Sequence, residues 1–302
     1  MKAIIPVAGH GTRLEPHTLK LQKCLLPVAG KPVLEHILDR LTDAGVNDIT
    51  LIIGHLGVQV QEYCNTYKKA KFTFVQQTER LGLGHAVYQG LKHSDDPVVI
   101  VLGDSILELN YKKLLSSKYS TIGVDQVPDP KRFGIVELSG NRIISMVEKP
   151  INPPSNLALI GIYYITSQKE LAVAVEYLIK NDIRTKNEYQ LTDAYRVMLD
   201  RGHVFESLMI DVCLDCGIPA TLFSTNQELL ERENYNAIHS TAIVENSDLS
   251  HCTISKNCKI VNSKLQNVIM LHGSQVQNQN LEDVIVGIDE RLVGEVVLGD
   301  SV

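Results

Sequence analysis

Short apolar runs separated by amphipathic stretches dictate most of what this chain can fold into. "AIIPVA", "DITLIIG", "FTFVQQ", "PVVIVLGD", "STIGVDQV", "GIVEL", "ALIGIYYI" and "PATLFS" each read as a strand by length and composition. Amphipathic segments lie between several of them, most clearly over 32–44, where Val33, Leu34, Ile37, Leu38 and Leu41 recur at helical spacing. The alternation predicts an α/β fold: a mostly parallel sheet flanked by helices, receiving ligands at the carboxyl ends of its strands. With 302 residues, 44% of them hydrophobic, the chain can bury the large core that such a sheet needs.

The first run feeds "GHGTRLEPHTLKLQKCLLPVAGK" at 9–31. Glycines directly after a strand let backbone amides approach an anion closely, so this is a phosphate-site candidate. It is not a Walker A loop, because Gly11 follows Gly9 after one residue and is itself followed by Thr12 and Arg13. A dinucleotide fingerprint fits poorly, since Leu14 occupies the position of the third glycine. What remains is a GxGTR loop with Arg13, Lys20, Lys23 and Lys31, a density of cations suited to a triphosphate or a pyrophosphate leaving group.

A formal net charge of -6 gives no expectation of a nucleic-acid partner. No apolar run approaches bilayer length and no charged leader with a cleavage site precedes the first strand, so the expectation is a cytoplasmic protein without a membrane partner. Cys213 and Cys216 form a CxxC, but no second pair stands at zinc-site spacing and no redox-type helix follows. These two, with Cys24 and Cys64, read as small buried hydrophobes.

From about residue 237 the texture changes. Ile238, Ile243, Leu249, Ile254, Ile260, Leu265, Leu271, Val276 and Leu281 recur every five or six positions among small and polar residues. Neither a helix nor an alternating strand has that period. A parallel β-helix with hexapeptide-like repeats does, in three or four coils of about 18 residues. The organisation expected is therefore a domain over 1–237 and a short β-helix over 238–302, the latter serving stability and subunit contact in a homo-oligomer.

"GHGTRLEP", the lysine ten residues after its arginine, "LLPVAGKP", "GLGHA" at 82–86, "LGDS" at 102–105, "VEKP" at 147–150 and "NEYQLTDA" at 187–194 stand in one order over about the first 225 residues. Together they resemble the sugar-1-phosphate nucleotidylyltransferases, the nucleoside-diphosphate-sugar pyrophosphorylases. The resemblance implies a Rossmann-like nucleotidyltransferase sheet, and many such proteins end in a left-handed β-helix. It also implies transfer of a nucleotide from dTTP or UTP to a sugar-1-phosphate such as glucose-1-phosphate, with Mg2+ as cofactor. Non-catalytic regulatory paralogues exist among such proteins, but they usually lose the residues that this chain keeps at Arg13, Lys23, Asp104 and Asp215.

In that reaction a phosphate oxygen of the sugar, already ionised at neutral pH, attacks the α-phosphorus and expels pyrophosphate. The protein's work is to assemble two polyanions and stabilise the developing charge. By resemblance, Arg13 holds the β- and γ-phosphates, Lys23 reaches the α-phosphate and Lys149 binds the sugar's phosphate, while Gly9, Gly11 and Thr12 form the nucleotide loop. Gln77, five residues before Gly82, reads the pyrimidine edge. Gly134, Glu148 and Gly161 meet the sugar ring, and Asp104 and Asp215 serve the metal. Mg2+ suits such a pair because it takes few carboxylates alongside phosphate oxygens and water.

Overall fold

The computed structural model describes residues 1–233 and 235–294. The chain divides into two compact units, one of Met1–Gly9 with Ile37–Cys213, the other of His10–His36 with Leu214–Val302, whose last eight residues lie outside the described ones.

The first unit holds a nine-stranded sheet. Its strands are β1 (Lys2–Val7), β2 (Asp48–Ile53), β3 (Lys71–Gln76), β4 (Val98–Val101), β5 (Ser120–Gln126), β6 (Gly134–Ser139), β7 (Arg142–Glu148), β8 (Leu157–Ile165) and β9 (Phe205–Met209). They lie in the order β3-β2-β1-β4-β8-β5-β9-β7-β6. The parallel sheet expected from the alternating pattern is realised over β3-β2-β1-β4; β8 then runs antiparallel to both neighbours, and β7 pairs antiparallel with β9 and β6. Pro6 is tolerated in the interior strand β1 because β4 pairs only with Lys2, Ala3 and Ile4, so the missing N–H falls beyond that ladder.

Helices α1 (Val33–Asp43), α2 (Gly57–Thr66), α3 (Leu83–Gly90), α4 (Tyr111–Leu115), α5 (Gln168–Lys180) and α6 (Leu191–Asp200) follow in chain order. The apolar stripe read over 32–44 is the buried face of α1: Val33, Leu34, Ile37, Leu38 and Leu41 are all buried. Tyr195 of α6 packs between Tyr163 of β8 and Phe205 of β9, with ring centroids 5.3 and 5.7 Å away. The register of β8 breaks between Leu159 and Tyr163, around Gly161 at φ 42°. The Gly161 carbonyl accepts from the Leu102 N–H at 2.8 Å, which fixes the start of the "LGDS" turn.

In the second unit, Pro27–Val28 and Lys31–Pro32 pair as a two-residue hairpin whose corner residues, Ala29 and Gly30, both have left-handed φ of 46° and 79°. "PATLFS", expected as a strand, opens helix α7 (Pro219–Glu231) instead. Pro219 presets the first helical turn, and Leu222, Thr225, Asn226, Leu229 and Leu230 form a buried face at helical spacing.

The strands from Asn236 onward build three parallel ladders. Asn236–Ile238, Cys252–Ile254, Ile269–Met270 and Ile285–Val286 make one; Ile243–Glu245, Lys259–Val261, Gln275–Gln277 and Arg291–Val293 the second; Asp248–Ser250, Lys264–Gln266 and Asn280–Glu282 the third. Paired residues such as Asn236 and Cys252, or Ile243 and Lys259, stand sixteen positions apart, so a coil is sixteen residues long rather than about eighteen. Inward positions follow at intervals of five or six, through Leu249, Ile254, Ile260, Leu265, Met270, Val276, Leu281, Val286 and Leu292. Ile243, expected among them, points outward at 50% exposure, and Val244 is the residue in register with Ile260. Met270, not Leu271, holds the register of Ile254 and Val286. Corners are turned by left-handed residues at the same period: Tyr235, His251, Asn267 and Asp283; Asn246, Asn262 and Asn278; Asn257, Gly273 and Asp289. Asparagine, aspartate and glycine bear that conformation at least cost.

Candidate active site

In the second unit the GxGTR loop is closed by short-range bonds. Gly11 stands at φ 71°, and its carbonyl accepts from the Leu14 N–H at 2.8 Å and the Thr18 hydroxyl at 2.9 Å. A Cβ on Gly11 would lie 3.0 Å from both Lys23 Cβ and Thr18 Cγ2, so this position needs glycine for conformation and for space. Thr12 and Arg13 are exposed on a one-turn 3₁₀ segment, Thr12–Leu14. Lys23 opens a second such turn, Lys23–Leu25; the buried Gln22 side chain caps it by accepting the Cys24 N–H at 2.6 Å. The loop thus places Lys23 against Gly11 and leaves the Arg13 guanidinium in solvent. Asp215 ends the strand Val212–Asp215; its Oδ1 accepts from the Gly217 N–H at 2.9 Å and its carbonyl from the Thr225 hydroxyl at 2.9 Å.

In the first unit, Gly9 lies just beyond β1, and a Cβ there would meet nothing within 4 Å. The backbone there is open rather than sterically restricted. Gln77, one residue past β3, is buried; its N–H donates to Ile53 O at 2.8 Å and its side-chain nitrogen lies 3.3 Å from His85 Nδ1. Gly82 caps α3 at φ 111°, where a Cβ would lie 2.7 Å from Tyr189 O. The Gly84 N–H donates to that same carbonyl at 2.8 Å, and the Tyr189 N–H returns a bond to Leu81 O at 2.7 Å. "GLGHA" and "NEYQLTDA" are therefore one structural piece, and His85 and Tyr189 are partners that single-motif reading missed.

Two of the three residues assigned to the sugar, Gly134 and Glu148, come together. Glu148 and Gly134 are direct cross-strand partners of β7 and β6. Glu148, with a nearly buried side chain, pairs with its neighbour Lys149 at 3.0 Å. Lys149 adopts φ 44°, a costly conformation for a side-chain-bearing residue, secured by donation of its N–H to Phe133 O at 2.9 Å. A Cβ on Gly134 would lie 2.9 Å from Glu148 Oε2, 2.6 Å from Thr192 Oγ1 and 2.5 Å from Leu159 Cδ1. Burial pushes the Tyr163 hydroxyl up, and the charges of Glu148 and Asp104 add to it, which sets both carboxylates in that tyrosine's surroundings. Asp193 was not singled out in the sequence. Burial raises its pKa, against a hydrogen bond from Thr185 and with repulsion from Glu148, and its Oδ2 is buried without a hydrogen-bond partner. The signal available was an acidic residue opening an amphipathic helix inside a conspicuous motif.

Gly134→Ala is expected to push Glu148 aside, raising KM for a sugar phosphate about tenfold while nucleotide KM stays within about twofold. Steady-state kinetics with each substrate varied in turn would show this. Equal shifts in both would count against Glu148 as a sugar contact.

Among the described residues, no group of three or more His, Cys, Asp and Glu is arranged to hold a metal alone. Asp104 in the first unit and Asp215 in the second are each half-buried, so each keeps oxygen donors of the kind a hard cation takes, few at a time, alongside phosphate oxygens and water. Cys216, Cys24 and Cys64 are buried and Cys213 is half-buried. Burial pushes the Cys64 thiol up to about 12, as befits a packing residue.

A family model for nucleotidyl transferases matches residues 2–232. The chain is 34% identical over 235 residues to the bifunctional protein GlmU of Methanocaldococcus jannaschii, covering 78% of this chain and 55% of that one. It is 30% identical over 279 residues to the glucose-1-phosphate thymidylyltransferase of Streptomyces antibioticus, covering 88% and 76%. A UDP-glucose pyrophosphorylase complexed with UDP-glucose superposes with a TM-score of 0.67 at 24% identity, over 77% of this chain and 99% of that one, which establishes likeness of fold. The chain belongs to the nucleotidyl transferase family. It spans about half the length of the GlmU relative.

Proposed function

We propose that the chain transfers a nucleotidyl group from a pyrimidine nucleoside triphosphate, dTTP or UTP, to a sugar-1-phosphate such as glucose-1-phosphate, releasing pyrophosphate. The observation that carries this reading is the Glu148–Lys149 pair opposite Gly134: a carboxylate for sugar hydroxyls and a cation for the sugar's phosphate, on adjacent residues. Lys149 orients the phosphate oxygen that attacks the α-phosphorus. The bond from that phosphorus to the bridging oxygen breaks, and its electron pair leaves on pyrophosphate. Lys23 counters charge on the transferring group, and Arg13 charge on the leaving group. Asp104 and Asp215 are the residues proposed to hold Mg2+, which when bound would supply charge neutralisation at the phosphates. Gln77, its amide turned by His85, reads the pyrimidine edge.

Among the described residues, no helix is long and apolar enough to cross a membrane. A cytoplasmic location and a homo-oligomeric state are part of this reading, the second of them supported by Tyr235, Ile238 and Ile243 standing exposed at the start of the coils.

The test is incubation with each α-labelled nucleoside triphosphate, Mg2+ and a panel of sugar-1-phosphates. Labelled sugar nucleotide and pyrophosphate in equal amounts are expected from dTTP or UTP, with purine nucleotides used roughly 100-fold less efficiently. No labelled sugar nucleotide from any combination would sink the proposal.

A further inference from the structure

The segment carrying Lys23 is fastened to the coils within its own unit, and one buried side chain makes the joint. Asn226 of α7 is 0% exposed and is hydrogen-bonded in three directions. Its Oδ1 accepts from the Ala29 N–H at 3.0 Å and from the Thr253 hydroxyl at 2.6 Å, and its Nδ2 donates to His251 O at 3.0 Å. Ala29 is the hairpin corner at φ 46°, a conformation that is costly for an alanine and persists only where the surroundings hold it. The contact is close as well as polar, since a Cβ on the next residue, Gly30, would lie 2.9 Å from Ala237 Cβ.

From this corner the linkage to the phosphate loop is short. The hairpin strand leads to Leu26, whose carbonyl accepts the Val33 N–H at 3.0 Å and whose N–H donates to Lys23 O at 3.1 Å. Lys23 Cβ in turn lies against Gly11. A second attachment occurs further along the coils: a Cβ on Gly287 would sit 3.7 Å from His17 Nδ1, and Glu290, which accepts the Gly287 N–H, raises the pKa of His17 against the larger lowering effect of its burial. The phosphate loop therefore rests on the coils at both a polar joint and a packed edge.

We propose that Asn226 is a positioning residue for nucleotide binding: by holding Ala29 in its left-handed conformation against the first coils, it sets the place of Lys23, with the β-helix as the base of the phosphate loop. This rests on the reading of Lys23 as a nucleotide ligand. It gives the coils a part in catalysis that the sequence did not suggest.

The test compares full-length wild type with Asn226→Ala, with Asn226→Ala/Ala29→Gly, and with Ile260→Ala as a destabilised coil-core control that leaves the joint untouched. Asn226→Ala is expected to raise KM for the nucleotide about tenfold, leave KM for the sugar phosphate within about twofold, and speed amide exchange over residues 22–31 about tenfold. Adding Ala29→Gly, which removes the strain that the amide offsets, should bring nucleotide KM back toward wild type, whereas Ile260→Ala should leave both KM values unchanged. Should Asn226→Ala not accumulate as folded protein, Asn226→Ser takes its place in the same measurements. Unchanged KM values with a lower kcat, or unchanged exchange over 22–31, would reduce Asn226 to a stability role and overturn the proposal. A wild type without transferase activity would instead overturn the proposed function. Exchange with and without UTP and Mg2+ would then decide the coupling: nucleotide protection of 22–31 in wild type but not in Asn226→Ala upholds it, and equal protection refutes it.

Discussion

Lys23→Ala should lower kcat/KM by about 10³-fold, and Arg13→Ala by about 10²-fold, losses of about 4 and about 2.7 kcal/mol of transition-state stabilisation for the two cations proposed to meet phosphate. The order follows from the structure. Lys23 is half-buried, its stem set against Gly11, whereas Arg13 is exposed on a one-turn segment and must be drawn in by its ligand. Removing the Arg13 guanidinium from solvent should change stability by no more than about 0.5 kcal/mol, so the loss would be chemical rather than structural. Steady-state kinetics together with thermal unfolding of both variants would check this. Near-normal turnover in both, with folding intact, would remove the loop from the catalytic machinery.

Asp104→Asn is expected to abolish most metal-dependent turnover, by about 10²-fold or more at saturating Mg2+, and excess chelator should do the same to wild type. An amide has the carboxylate's shape but neither its charge nor its second anionic oxygen. The "LGDS" turn is pinned through Leu102 to Gly161, so the substitution should leave the turn in place. Tyr163 stays neutral at neutral pH in both proteins, since its ionisation is opposed by burial first and then by Glu148 and Asp104. The measurement is activity against Mg2+ concentration for both proteins. Full turnover in chelator, or a variant that matches wild type at every Mg2+ concentration, would refute a metal role for Asp104.

Much of this was legible in the sequence because the relevant signals are local. Gly11 declares itself by its place after an apolar run, and the structure shows why nothing larger fits there. The stripe from Val33 to Leu41 is legible because burial of one helix face is written at a fixed period. "PATLFS" misled because an apolar run this short carries no period of its own, and the proline at its head starts a helix as readily as it flanks a strand. Asn226 and Tyr163 could not be found at all. Their roles depend on which distant segment lies against them: Asn226 meets Ala29 across 197 positions, a pairing to which no local pattern points. The coils were legible in kind but not in measure, because one corner is occupied in turn by Tyr235, His251, Asn267 and Asp283. What those residues share is a backbone angle, and sequence letters show that only in part.

The sixteen-residue coil makes this stretch a quantised structure. Three ladders close only when every residue meets its counterpart one coil away, so adding or deleting a single residue would put the three faces downstream out of phase with those upstream, moving inward aliphatics such as Ile260 or Leu265 to solvent. A change of a whole coil leaves the phase intact. Descendants of such a chain can therefore lengthen or shorten their coils in steps of sixteen, or bulge at a left-handed corner, but find few viable lengths between. Length variation in the coils is thus granular, and the joint at Asn226 sits where the first increment meets the second.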